Sequence, residues 1–141
     1  MPDSVMSDEV RRLLDGPNVG HMATLTADGS PHVVPVWVAS DGDVVRLVKI
    51  GGSVGLHNIE RDRRVAMSIV ERGNQYVSAR LRGVVVAFER GDVATEWLHR
   101  ITRQYTGRDY PDPTIDIVLV TVQVEHATFN RIETFDDSFT P

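Results

Sequence analysis

Gly20–Val70 reads GHMATLTADGSPHVVPVWVASDGDVVRLVKIGGSVGLHNIERDRRVAMSIV, and the punctuation of that stretch decides the fold. Val19 to Thr26 and His32 to Val38 are rich in β-branched residues and separated by Ala27-Asp28-Gly29-Ser30, the pattern of a hairpin. Asp41-Gly42 makes a second tight turn before a run over residues 43–50. Gly51-Gly52-Ser53 then breaks the strand period, and residues 56–63 mix Leu, Ile and charge in a way that suits a short helix. Residues 65–70 return to strand.

On the N-terminal side, Ser7 is placed to cap a helix over residues 8–14, with Val10, Leu13 and Leu14 on one face and Gly16-Pro17 as its stop. On the C-terminal side, Arg72-Gly73-Asn74 is a turn and residues 75–88 form a long strand. Tyr76, Ser78, Arg80 and Arg82 share one face of it, and Val77, Ala79 and Leu81 the other. Gly83 marks a bend or bulge. Residues 92–105 give the strongest helical signal, with Val93, Trp97, Ile101 and Tyr105 recurring every four residues. Tyr110-Pro111 and Asp112-Pro113 lie in a loop over 107–113. The apolar run over 115–124 predicts a central, buried strand. The tail after Phe129, with Asp136-Asp137-Ser138, is predicted to be loose unless it packs on a partner subunit.

Six strands joined mostly by short hairpins predict a mainly β fold, a closed six-stranded antiparallel barrel with accessory helices. The whole chain, 1–141, reads as one domain. A helix lies within 1–17, the barrel over 18–126 with helices near 53–62 and 92–106, and a tail over 127–141.

A chain of 141 residues buries about 68% of its unfolded surface, enough for a core. Its 41% hydrophobic and 25% charged content is that of an ordinary globular protein. The longest apolar runs, such as Val84 to Phe88, are too short to cross a bilayer, so no membrane is expected. The acidic start MPDSVMSDEV has neither the basic nor the apolar region of a secretion signal, which points to the cytoplasm. With no cysteine, disulfides, thiolate catalysis and cysteine-ligated metal are excluded. A net charge of −5 argues against nucleic acid as a partner. Lys49 is the sole lysine.

Nucleophilic catalysis finds no Gly-x-Ser-x-Gly elbow and no Ser-His-Asp set. The five histidines, His21, His32, His57, His99 and His126, show no metal-ligand spacing, although His21 and His32 could meet across the first hairpin. No metal is expected. Gly51-Gly52-Ser53 is the better candidate. A glycine turn running into a helix start exposes backbone N–H groups to an anion, and Lys49 adds a cation beside it. A plain strand-to-helix turn has the same composition.

The order of these elements resembles the FMN-binding split barrel of the pyridoxamine 5'-phosphate oxidase-like proteins. Ala23-Thr24-Leu25 with Asp28-Gly29-Ser30-Pro31-His32, and Asn58 followed by Arg61-Asp62-Arg63-Arg64-Val65, carry the likeness, which spans about Val10 to Val124. Arg63 stands where that family commonly has proline. Among its branches the chain looks most similar to the actinobacterial reductases that use coenzyme F420. The resemblance implies a deazaflavin or, alternatively, FMN held in a groove at the interface of a homodimer. His32, Val33, Pro35, Val36 and Trp37 would flank the ring. Val48 and Lys49 would lie against the ribityl and ring region. Gly52, Ser53, Val54 and Gly55 would face the phosphate, and Gly51 and Asn58 would belong to the same cofactor-binding set. The family commonly carries basic residues where this chain has Val54 and Gly55, so Lys49, His57 or Arg61 would have to supply the counter-charge.

The implied reaction is hydride transfer to a small planar electrophile, with the cofactor carrying the chemistry. No general acid or base is obligatory. Tyr76, His32 and Arg80 are candidate proton or hydrogen-bond donors, although a structural role is the commoner one for each. Trp37 would stack on a ring system or fill the barrel or an interface. The second reading is a non-catalytic split-barrel protein that has lost its phosphate clamp and sequesters another small molecule, such as a tetrapyrrole.

Overall fold

The computed structural model describes residues 4–112 and 114–132. In chain order the elements are α1 (Asp8–Asp15), β1 (Gly20–Leu25), β2 (Pro31–Val36), β3 (Ala39–Asp41), β4 (Val44–Ile50), α2 (Val54–Arg61), β5 (Arg64–Glu71), β6 (Asn74–Glu89), α3 (Asp92–Thr106) and β7 (Ile117–Arg131). The strands form one antiparallel sheet in the order β2-β1-β5-β6-β7-β4-β3.

Two expectations need correction. Among the described residues the sheet has seven strands, not six, and it is open, not closed. The added strand, β3, is three residues long, Ala-Ser-Asp, and lacks the β-branched run that marks a strand in sequence. It exists because Ala39 and Asp41 pair with Arg46 and Val44 across the Asp41-Gly42 turn. The two edge strands explain why the sheet stays open. Pro31 and Pro35 remove two backbone donors from β2, and β3 is too short to template a further partner.

A third correction concerns the end of the chain. The strand expected at 115–124 begins at Ile117 and runs on to Arg131, through residues expected in the tail. Ala127 and Phe129 pack against the core, while Asn130 and Arg131 pair with Ser78 and Val77. Asp136-Asp137-Ser138 and Pro113 lie outside the described residues.

The long strand β6 alternates as its sequence predicts. Val77, Ala79 and Leu81 are buried, and Arg80 and Arg82 are exposed. The β6–β7 register shifts between Arg82 and Gly83, where a Cβ would come within 2.2 Å of the Gln123 carbonyl oxygen. Only glycine permits that close approach, so the bulge and the residue are tied together. His21 and His32 do not meet. His21 pairs with Pro35 on the exposed face, whereas His32 pairs with the buried Thr24.

The main core is filled by side chains such as Leu14, Met22, Leu47, Ile59 and Ile69, each worth about 1.5–3 kcal/mol on burial. A second, smaller cluster packs α3 against β4 and β7 through Trp97, Leu98, Ile101, Ile117 and Leu119. The stripe read on α3 is rotated slightly. Ala94, Leu98 and Thr102 join Trp97 and Ile101 inside, and Val93 is exposed.

Polar pins fix α3 to the end of β2. The Gln104 amide donates to the carbonyl oxygens of Leu14, Gly16 and Val38, and the Tyr105 hydroxyl donates to the Asn18 carbonyl at 2.7 Å. That same hydroxyl accepts from the Val38 N–H at 3.0 Å. These bonds hold three segments at fixed distances and frame a cavity between them. Among the described residues no helix is long and apolar enough to cross a membrane.

Candidate functional site

The alternation of β2 sets the first wall. His32, Val34 and Val36 turn inward, and Val33, Pro35 and Trp37 turn out. Pro35, Val36 and Trp37 line a cavity of about 370 Å³, within the usual range of small-molecule sites. Val48, Lys49 and Ile50 at the end of β4 form the second wall. The third is the inner face of α3, Leu98, Ile101 and Thr102, and Tyr110 and Ile115 close the fourth side. Among the described residues the lining is mostly aliphatic or aromatic, and Lys49 is its only charged group.

Trp37 is held rigidly for an exposed aromatic. Its ring lies 4.9 Å from that of Tyr105 at an interplanar angle of 8°, so one indole face rests on a ring whose hydroxyl is itself anchored. Burial pushes the Tyr105 hydroxyl above its ordinary pKa, and the bond from the Val38 N–H offsets that in part. The phenol therefore stays neutral and acts as a structural pin. Tyr110 is held by its backbone N–H, which donates to His99 Nδ1 at 3.1 Å.

Lys49 gives the site its electrostatic character. Its ammonium nitrogen lies 3.0 Å from where a Cβ would stand on Gly55. Gly55 is buried in the first turn of α2, so the strand lysine fills the space that a side chain on the helix would need. Desolvation lowers the Lys49 pKa, a sign that the charge is carried in a half-dry position. No hydrogen-bond or carboxylate partner meets it among the described residues. The helix start beside it is ordinary in its own bonding. Ser53 Oγ accepts from the Leu56 N–H at 3.3 Å as the N-cap, and Gly52 has φ of +80°, a left-handed conformation that suits glycine.

The residues singled out from sequence separate into three groups. Pro35, Val36, Trp37, Val48 and Lys49 come together around the cavity. Gly51, Gly52, Ser53, Val54 and Gly55 form the adjoining turn and first turn of α2, with Val54 exposed. His32, Val33 and Asn58 lie elsewhere. Val33 lines a different depression on the outer face of the sheet. Asn58 is 2% exposed and its amide donates to Thr24 Oγ1 at 3.1 Å, pinning α2 to β1. Gly51 is occupied from above, because its N–H donates to the Asp116 carbonyl at 3.0 Å and a Cβ there would strike the Asp116 carboxylate.

Sequence reading did not find the α3 wall or Tyr110, Ile115 and Ile117. The available signals were the apolar face of α3 and the start of the apolar run after Pro113, both of which read as plain core. The assembled cavity suits a planar, largely apolar ring that carries an anionic extension toward Lys49. Among the described residues its lining offers no carboxylate or imidazole.

Comparisons with known proteins agree with this architecture. The sequence pattern of the pyridoxamine 5'-phosphate oxidase family matches residues 6–131. Among solved structures, an F420 reductase is 27% identical over 91% of this chain and 98% of its own, with a TM-score of 0.74. A conserved hypothetical protein, Rv2991, from Mycobacterium tuberculosis is 20% identical over 99% and 98% of the two chains, with a TM-score of 0.71. HupZ from Group A Streptococcus is 18% identical over 87% and 98%, with a TM-score of 0.66. The latter two likenesses concern the fold alone. None of the curated proteins matches the chain. With the family pattern spanning every described strand, this chain belongs to the pyridoxamine 5'-phosphate oxidase family.

Proposed function

We propose that the protein is an oxidoreductase that holds coenzyme F420, or alternatively FMN, and reduces a small planar electrophile. The observation that carries this reading is the Lys49 ammonium at Gly55, beside an apolar cavity of about 370 Å³. A basic residue is missing from positions 54 and 55, yet a cation reaches the same place from β4. The likeness to an F420 reductase supports the deazaflavin over FMN.

Pro35, Trp37 and Val48 would face the ring, and Lys49 with the Gly52–Gly55 turn would face the phosphate. When bound, the cofactor supplies the hydride. The protein's part is to bind and orient. Trp37, backed by Tyr105, fixes one boundary of the ring site, while Leu98, Ile101 and Ile115 exclude water from it. The cavity needs no proton donor for that role. A substrate protonated on reduction would take its proton from solvent or from Tyr110. The reading includes a homodimer. Trp37 and Ile50 line the cavity yet are 41% and 59% exposed, a patch that a second copy would cover.

Quenching of deazaflavin fluorescence on titration with protein tests the cofactor. Wild-type protein should bind at micromolar concentration, and Lys49→Ala should weaken binding about ten- to a hundredfold, the usual weight of one charge-assisted contact. If neither F420 nor FMN binds the folded wild-type protein, the proposal fails. Tight binding without turnover of any quinone, nitroaromatic or tetrapyrrole acceptor would favour the non-catalytic reading.

A further inference from the structure

We propose that Lys49 is also a carbonyl-capturing amine, which condenses with flat, uncharged aldehydes in the cavity at Trp37 to form an imine. The inference uses the same cavity as the oxidoreductase reading but does not need its cofactor. Lys49 is the sole lysine of the chain and the only charged group among the described residues that line the cavity. Among the described residues its nitrogen has no hydrogen-bond or carboxylate partner. The cationic groups of the surface are placed differently, since Arg11, Arg64 and Arg103 are each paired with an aspartate.

The surroundings of Lys49 disfavour its charge from two sides. Its nitrogen lies 3.0 Å from the Cβ position of Gly55, in the first turn of α2, where the positive end of the helix dipole falls. On the cavity side it meets an apolar lining, and burial lowers its pKa with no charged neighbour to hold it up. An ordinary lysine in water is held as the unreactive ammonium at neutral pH. Loss of hydration without gain of a counter-ion is what frees the lone pair for attack on a carbonyl.

The walls select the aldehyde. Trp37 is backed by the Tyr105 ring at 4.9 Å and 8°, so it offers a rigid flat surface, and Pro35, Leu98 and Ile101 complete an apolar slot. A fused-ring or conjugated body fits such walls, and an added charge would find no partner there beyond Lys49 itself. In the reaction the amine lone pair forms a C–N bond to the carbonyl carbon, and the carbonyl oxygen takes up one of the two amine protons. The carbinolamine then loses its hydroxyl with the remaining nitrogen proton as water, leaving the C=N bond. No oxidant or reductant is consumed.

2-Naphthaldehyde is a suitable probe, with cyanoborohydride to trap the imine as a secondary amine and peptide mass mapping to locate it. Nα-acetyl-lysine amide in the same vessel supplies the rate of an ordinary lysine. Lys49 in the folded protein should be alkylated about tenfold or more faster than this reference. The advantage should vanish in urea, and propanal, which gains nothing from flat walls, should show a smaller one. Absence of an adduct at Lys49 would overturn the proposal, as would a rate equal to that of the reference. A preference that survives urea, or one as large for propanal, would remove the cavity from the explanation and overturn it as well. Failure of F420 to bind would leave these outcomes unchanged, and an unreactive Lys49 would leave the cofactor reading intact.

Discussion

Lys49 is in tension between stability and binding. Its charge is partly desolvated, which lowers its pKa and penalises the ammonium in the folded chain. Below the folded pKa the group is charged in both states, so the folded state bears the full penalty at pH 7. As pH rises through the folded pKa toward the ordinary 10.5, the folded chain sheds its proton first and the penalty is relieved. Lys49→Met should therefore raise the melting temperature at pH 7, with the gain shrinking at alkaline pH, while cofactor affinity falls. Scanning calorimetry at pH 7 and pH 10 measures it, and a lower melting temperature at pH 7 would contradict the assignment. Gly55 makes the converse test. A lysine at 55 in the wild-type background would meet the Lys49 ammonium at close range, so it should add little affinity. In the Lys49→Ala background the same Gly55→Lys change should restore most of the lost cofactor binding.

At the scale of elements, β6 and its bulge govern how the sheet bends. The Gln123 carbonyl lies where a side chain on Gly83 would begin, and it belongs to the backbone, so it cannot swing aside as a side chain would. Gly83→Ala should cost at least the roughly 1–3 kcal/mol typical of overpacking. Chemical denaturation would read this as a lower midpoint, and an unchanged midpoint would mean that β7 slides freely at the bulge. The neighbouring β1–β2 hairpin is fixed differently. Asp28 accepts from Thr26 Oγ1 at 2.6 Å and from the Ser30 N–H at 3.0 Å, which holds its carboxyl down at about 2. Such local devices were readable in sequence, because a turn is made by four adjacent residues. The alternation of β6 and the Ser7 cap were readable for the same reason. The three-residue β3 was not, since only its partner Val44–Arg46 makes it a strand. The site divides along that line. Its β2 and β4 walls follow from local alternation, whereas the α3 wall and Tyr110 reach it from dozens of positions further along the sequence. Lys49 stood out as the sole lysine beside a glycine turn, but its reach to Gly55 depends on how the turn folds back.

On the scale of the whole molecule, the open sheet leaves apolar surface uncovered at its edges. A closed barrel would have hidden its edges, but here β2 and β3 end the sheet and the mouth of the cavity lies near exposed apolar side chains. Ile50 is the most informative of these. It closes β4, pairs with Ile117, lines the cavity and remains 59% exposed, although it is too large and apolar to be neutral there. If a partner covers it, the protein should elute and scatter light at twice the chain mass of 15.7 kDa. Ile50→Glu places a charge in that contact without disturbing the buried core, since the side chain already faces out. The variant should keep its far-ultraviolet circular dichroism, fall to the single-chain mass, and bind the cofactor more weakly because the cavity has lost its cover. A variant that becomes monomeric yet binds F420 as the wild type does would separate the dimer from the site. A wild-type protein of 15.7 kDa at micromolar concentration would remove the dimer altogether, and the cavity would then have to retain its ligand with Trp37 and Ile50 facing solvent.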